Sequence, residues 1–175
     1  MNINKKLITA VAAGVIGIGG FAQTATAATG NASAVLVSPI SITESTALNF
    51  GSISNGLAAG SSNVVVNDDG VTATTYGASL AKVGATDTRG IFAISGGASL
   101  AYTVTLPAST TITDGSTTMT VGTFTTNSTS GGAGLTGTLG AGGTDTFYVG
   151  ATLTVNSTNN PGTYSGTYTI TAAYN

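Results

Sequence analysis

The side chains able to carry chemistry in this sequence are six carboxylates, a few cations and a large number of hydroxyls. Asn67-Asp68-Asp69-Gly70 gathers oxygen ligands of the kind calcium takes. Calcium needs roughly six to eight oxygens, and the downstream acids of an EF-hand loop are missing, so a solvated turn is the favoured reading. Asp87 and Arg89 are spaced for a surface ion pair, a contact that contributes about 0–1 kcal/mol. Serine and threonine hydroxyls become nucleophiles only beside a base, and the chain has no histidine. Glu44 and the five aspartates show no spacing that singles out a glycosidase pair. Tyr76, Tyr102 and Tyr148 offer faces for stacking on a sugar, although tyrosines in thin β proteins serve more often in packing. No catalytic residue follows from this inventory, and the expectation is that the protein is not an enzyme. Cysteine is absent as well as histidine, which removes the common zinc, copper and haem ligand sets, so neither a metal nor a cofactor is expected.

The segments around these residues explain where they work. Met1 to Lys6 is basic, Leu7 through Phe21 is apolar, and Ala25-Thr26-Ala27 is a small-residue cleavage site. That is the three-part form of a secretory signal peptide, and residues 1–27 are set apart from the fold. Its loss leaves Lys82 and Arg89 against Glu44, Asp68, Asp69, Asp87, Asp114 and Asp145, a balance of about −4 that cannot track a phosphate backbone. Nucleic acid is excluded as a normal partner, and contact with a membrane is expected only through the signal peptide during export. An exported chain without cysteine must be stabilised by its core and its hydrogen-bonded ladders.

Residues 28–175 are the size of one domain. Their high Gly, Thr, Ser and Ala content is accompanied by little charge, 6% of the chain, and by recurring β-branched runs, which argues for β structure over disorder. Residues 28–53 read as one extended segment, with Pro39 placing it at a sheet edge or a bulge. Leu48 to Ile53 reads as a short second strand, bent at Gly51. Hairpins are predicted around Asp69-Gly70 and around Asp114-Gly115, and strands over Ile91 to Ile94, Leu100 to Leu106 and Leu135 to Leu139. Phe147, Val149, Ala151, Leu153 and Val155 mark the longest internal strand. It turns at Asn159-Asn160-Pro161-Gly162 into residues 162–175, where Tyr164, Tyr168, Ile170, Ala172 and Tyr174 alternate with polar residues. These last two strands are expected to pair as a hairpin. About ten short strands without a helix predict an all-β fold, a two-sheet antiparallel sandwich of immunoglobulin-like or jelly-roll type.

Gly162 and Tyr174, with alternating apolar positions between them, resemble the last strand of chaperone–usher pilus subunits. The run Tyr164-Ser165-Gly166-Thr167-Tyr168-Thr169-Ile170-Thr171 is similar to the end of spore coat protein U domains. Pro39-Ile40-Ser41-Ile42-Thr43, followed by Leu48-Asn49-Phe50-Gly51, resembles secreted bacterial domains of unknown function that are similar to these pilins. The resemblance implies an incomplete sandwich whose groove is filled by a periplasmic chaperone strand and then by a neighbour's N-terminal segment. The donor it points to is residues 28–42, through Ala32, Ala34, Leu36, Ile40 and Ile42; the alternative is that this segment completes its own sandwich. The strand bordering the groove would carry Gly162, Tyr164, Gly166, Tyr168, Ile170, Ala172 and Tyr174. The paired cysteines of many such pilins are absent, and Ser38-Pro39 interrupts the donor pattern. The expected function is that of an exported cell-surface structural protein, a pilin-like or fimbrial subunit that polymerises with itself. Two alternatives are a monomeric surface adhesin or carbohydrate-binding module, and a self-contained coat or matrix protein.

Overall fold

The computed structural model describes residues 26–175, so the segment expected to be a signal peptide lies, apart from its last two residues, outside the described residues. The chain divides into two units, residues 1–35 and residues 36–175. The described part of the first, residues 26–35, is exposed and forms no strand. The second holds thirteen strands in three antiparallel sheets and no helix.

The large sheet is built around β12 (Thr144–Asn156), the longest strand. Phe147, Val149, Ala151, Leu153 and Val155 share its inward parity and are all buried, as the alternation predicts. One edge of β12 is divided end to end between β6 (Gly90–Ser95) and β3 (Ser61–Val66), and the other pairs with β9 (Thr118–Ser128). β1 (Ser41–Thr46) extends the sheet beyond β6, and β4 (Thr75–Tyr76) extends it beyond β3. β8 (Ser109–Thr113) and β10 (Gly132–Ala133) pair with β9. A three-stranded sheet runs β11 (Thr136–Thr138), β7 (Ala101–Thr105), β13 (Thr171–Tyr174), and β2 (Ile53–Asn55) pairs with β5 (Leu80–Lys82).

The expected hairpin between the last two strands does not form. Both edges of β12 are already paired, so the final strand crosses to the other sheet and pairs with β7, with Tyr174 opposite Tyr102. Residues 162–175 are also less regular than their alternation implies: only Thr171–Tyr174 is strand, and Ser165 makes a lone bridge to Thr113. At the other end, residues 26–40 form no ladder, and the long extended segment read from the sequence begins only at Ser41. Pro39, which cannot donate to a ladder, stands just before it. Leu48 to Ile53 is not one strand: Asn49 makes an isolated bridge to Thr88, Gly51 turns the chain at φ +76°, and Ile53 begins β2. A side chain on Gly51 would meet Ala85 O at 2.8 Å, which accounts for the bend. The first predicted hairpin exists as β3–β4, but residues 67–74 form a longer loop than the Asp-Gly pair suggests. The second is β8–β9, its turn closed by Asp114 Oδ1 accepting from Ser116 N and Thr117 N.

Two apolar clusters result. Val64, Val66, Val121, Leu153 and Val155 of the large sheet pack with Phe50 and Leu80. Phe92, Ile94, Phe147 and Val149 of the same sheet pack with Tyr102 and Val104 of β7 and with Leu139, so the second cluster joins the large sheet to the three-stranded one. Phe147 is wholly buried while Leu36 is wholly exposed. Phe147→Ala is expected to cost about 3–5 kcal/mol in urea unfolding, and Leu36→Ala less than about 0.5.

Candidate functional site

Two strand edges remain unpaired along one side of the second unit. Among the described residues, β1 pairs only with β6, and β13 only with β7. They come together at the Ser38 and Tyr174 end and separate beyond it. Between β13 and the turn at Asn160 the chain is fastened at intervals. The Tyr164 hydroxyl bonds to Thr117 Oγ1 and donates to Asn160 O, Ser165 exchanges backbone bonds with Thr113, and Thr167 O accepts from Thr110 Oγ1 at 2.8 Å. Among the described residues, no amide of residues 166–170 donates to a backbone oxygen. Tyr168 and Ile170 nevertheless turn inward onto the second cluster, with Tyr168 packing on Phe92 and Phe124. The side-chain alternation of a strand is therefore present without the ladder that usually accompanies it.

The space between these margins is a groove. At its wide end, residues 47–57 face residues 159–166 across about 870 Å³, over a floor that includes Phe50, Leu57, Ile112, Met119, Leu153 and Val155. Toward β13 it narrows to about 260 Å³ between Ile42 and Glu44 on one side and Tyr168 and Ile170 on the other. The Tyr168 hydroxyl is buried here and finds no hydrogen-bond partner among the described residues. Burial, and then the charge of Glu44, hold its pKa well above the ordinary phenol value. An apolar floor between polar walls, together with unpaired main chain, suits the groove for binding an extended segment.

The sequence-predicted site residues distribute unevenly over this geometry. Ile42 is seated in β1 opposite Ile94, and Ile40 packs half-buried on the second cluster. Leu36 is exposed, and so are Ala32 and Ala34. Gly162, Tyr164 and Gly166 border the wide end, Tyr168 and Ile170 the narrow end, and Ala172 and Tyr174 lie in β13. The groove floor supplied by Phe50, Ile112 and Met119 was missing from the sequence reading, because those residues meet only through long-range folding.

Apart from Glu44, which lines the narrow end, the charged residues form structural contacts. The expected Asp87–Arg89 pair is absent: Asp87 takes Lys82 at 2.6 Å and also bonds Thr74. Lys82 first and Thr74 second hold the Asp87 carboxyl down at about 2. Arg89 stacks over the Tyr148 ring at 3.7 Å and donates to Asp68 O. Of the other two tyrosines considered for sugar stacking, Tyr102 is wholly buried and Tyr76 half-buried. In the Asn67 to Gly70 loop, Asp69 binds its own chain through Val71 N, Thr72 N and the Thr72 hydroxyl. No group of three or more acidic residues among the described residues is arranged to hold a metal ion.

Asp145 is a buried acid that the sequence did signal, since it shares the inward parity of Phe147 and Val149. It accepts from Tyr102 Oη at 2.8 Å, from Thr146 N at 2.7 Å and from the hydroxyls of Thr129 and Ser130. Burial alone would raise its pKa, but the Ser130, Thr129 and Tyr102 hydroxyls and the Thr146 amide outweigh it and bring the carboxyl below its ordinary value.

Such geometry defines the protein as an all-β antiparallel protein with two strand edges left unpaired among the described residues and a groove with an apolar floor beside them. Residues 40–174, well over half of the chain, match a family described as a domain of unknown function, DUF4402, and the chain belongs to that family. No curated protein and no solved structure matches it.

Asp87 and Asp145 both titrate below their unfolded values. Their stabilisation is present above about pH 4 and is lost as pH falls through the folded values. The urea midpoint is therefore expected to hold steady above about pH 5 and to decline toward about pH 2. Asp87→Asn should flatten that decline. Asp145→Asn should flatten it too, and should lower stability at neutral pH by about 1–3 kcal/mol through hydroxyls left without their acceptor.

Proposed function

We propose that the protein is an exported structural subunit of the bacterial cell surface that assembles by β-strand exchange. In this reading the sheets form an immunoglobulin-like, pilin-like sandwich that is incomplete along the groove, and the N-terminal segment of one copy fills the groove of the next. The observation that carries the reading is the unpaired edge of β1 and the unladdered residues 166–170 on either side of a groove with an apolar floor, in a chain that also has an apolar segment outside every described strand.

The donor is narrowed to residues 28–37, because Ile40 and Ile42 are already seated in their own fold and Ser38 is bonded to Tyr174. This segment has no charged residue, and Val35 and Leu36 are 90% and 100% exposed. Extended at roughly 3.3 Å per residue it would span about 33 Å, close to the roughly 40 Å of the margin formed by residues 162–174. Main-chain bonds to a free edge supply affinity in β-augmentation, and alternate side chains in the groove supply specificity. Exposed edges are also an aggregation hazard, which gives a periplasmic chaperone strand a role before assembly.

Deleting residues 28–37, which leaves Ser38 bonded to Tyr174, is expected to abolish the heat-labile polymer ladder on gels while leaving the thermal unfolding of the monomer nearly unchanged. A truncated protein that still polymerises would show that this segment is not the donor.

A further inference from the structure

The groove is closed at one end by a single side chain. The Tyr174 hydroxyl donates to Ser38 O at 2.7 Å and accepts from Gly97 N at 2.6 Å. Ser38 leads into β1 and Gly97 follows β6, so a residue of the three-stranded sheet is tied to two backbone points of the large sheet. Gly96 makes room for this tie, since a Cβ there would lie 2.1 Å from the Tyr174 oxygen. From the tie the margins run antiparallel and diverge, to about 260 Å³ beside Tyr168 and then to about 870 Å³ beside Asn160.

A donated strand also has a register problem. Register is well specified only where one parity is apolar and the other polar, because a slip of one residue exchanges the two faces. Residues 28–37 do not meet that condition. Ala32, Ala34 and Leu36 form one parity, but Val35 and Val37 make the other parity equally apolar at the same end of the segment. The segment's own pattern therefore leaves its position weakly defined, and the groove has to supply what the donor lacks.

We propose that Tyr174 is a positioning residue that sets the register of the donated strand: the strand fills the groove from the wide end and halts at the Tyr174 bridge. This rests on the strand-exchange reading and adds to it a fixed stop. Tyr174→Phe keeps the ring and removes both hydrogen bonds, leaving the closed end free to open. Gly96→Ala breaks the same bridge from the opposite side.

The chain has no cysteine, so register can be read by disulfide capture. A synthetic peptide of residues 28–37 carrying Val35→Cys is added to a protein that lacks residues 28–37 and keeps Ser38 as the partner of Tyr174, bearing one cysteine at a time, as Thr167→Cys, Thr169→Cys or Thr171→Cys. These three positions are exposed and lie along the margin. With Tyr174 intact, one position should capture the peptide about tenfold more than the other two, the preference that roughly one or two hydrogen bonds confer. In Tyr174→Phe and Gly96→Ala the preference should fall to about twofold or less, with total capture retained and melting temperature shifted by only a few degrees. The same single preferred position in all three proteins would overturn the stop and leave strand exchange standing. No capture in any of them, the Tyr174 protein included, would overturn strand exchange and the stop together.

Discussion

Complete pairing of β12 is the constraint from which the rest of the structure follows. Its inward parity carries Phe147, Val149, Leu153 and Val155 into the two apolar clusters, which makes it the strand that most needs to be central. Its length allows β6 and β3 to share one edge while β9 covers the other. A strand so placed has no hydrogen-bonding edge left for the chain that follows it. Residues after Asn160 are therefore directed to β7, and their first part crosses between the sheets without a ladder of its own.

The groove is a direct result of that crossing. Tyr168 and Ile170 gain burial against the second cluster, which holds the crossing segment in place by its side chains. Its amides gain nothing equivalent, and neither does the outer edge of β1. A protein interior leaves few main-chain groups unsatisfied, so an edge of this kind is either blunted, solvated or paired with another chain. The apolar floor of Phe50, Ile112 and Met119 opposes simple solvation and favours a partner that brings both backbone and alternating side chains. Residues 28–37 have that composition.

Strands whose partners are fixed by strong alternation were legible in the sequence. β12, β7 and the β8–β9 hairpin follow from period-two patterning and from the Asp114-Gly115 turn, and Pro39 marked β1 as an edge. Residues 162–170 were misleading for a physical reason: alternation reports which side chains are buried, and burial there comes from packing on the second cluster with no neighbouring strand to bond. Pairing order was equally hidden, because nothing in the pattern says that both edges of β12 are taken. Asp87 chose Lys82 over the nearer Arg89 in sequence, since Arg89 is held over the Tyr148 ring. Asp145 was readable by parity alone, and its four donors come from β7, from β12 and from the Thr129-Ser130 turn beyond β9.

The central claim is that the unladdered main chain of residues 166–170 is a binding edge. Amide hydrogen exchange of those residues, measured in the isolated monomer and in the assembled polymer, tests it most directly. Rapid exchange in the monomer and strong protection in the polymer is the result this account predicts. Equally rapid exchange in both states, or full protection already present in the monomer, would contradict it.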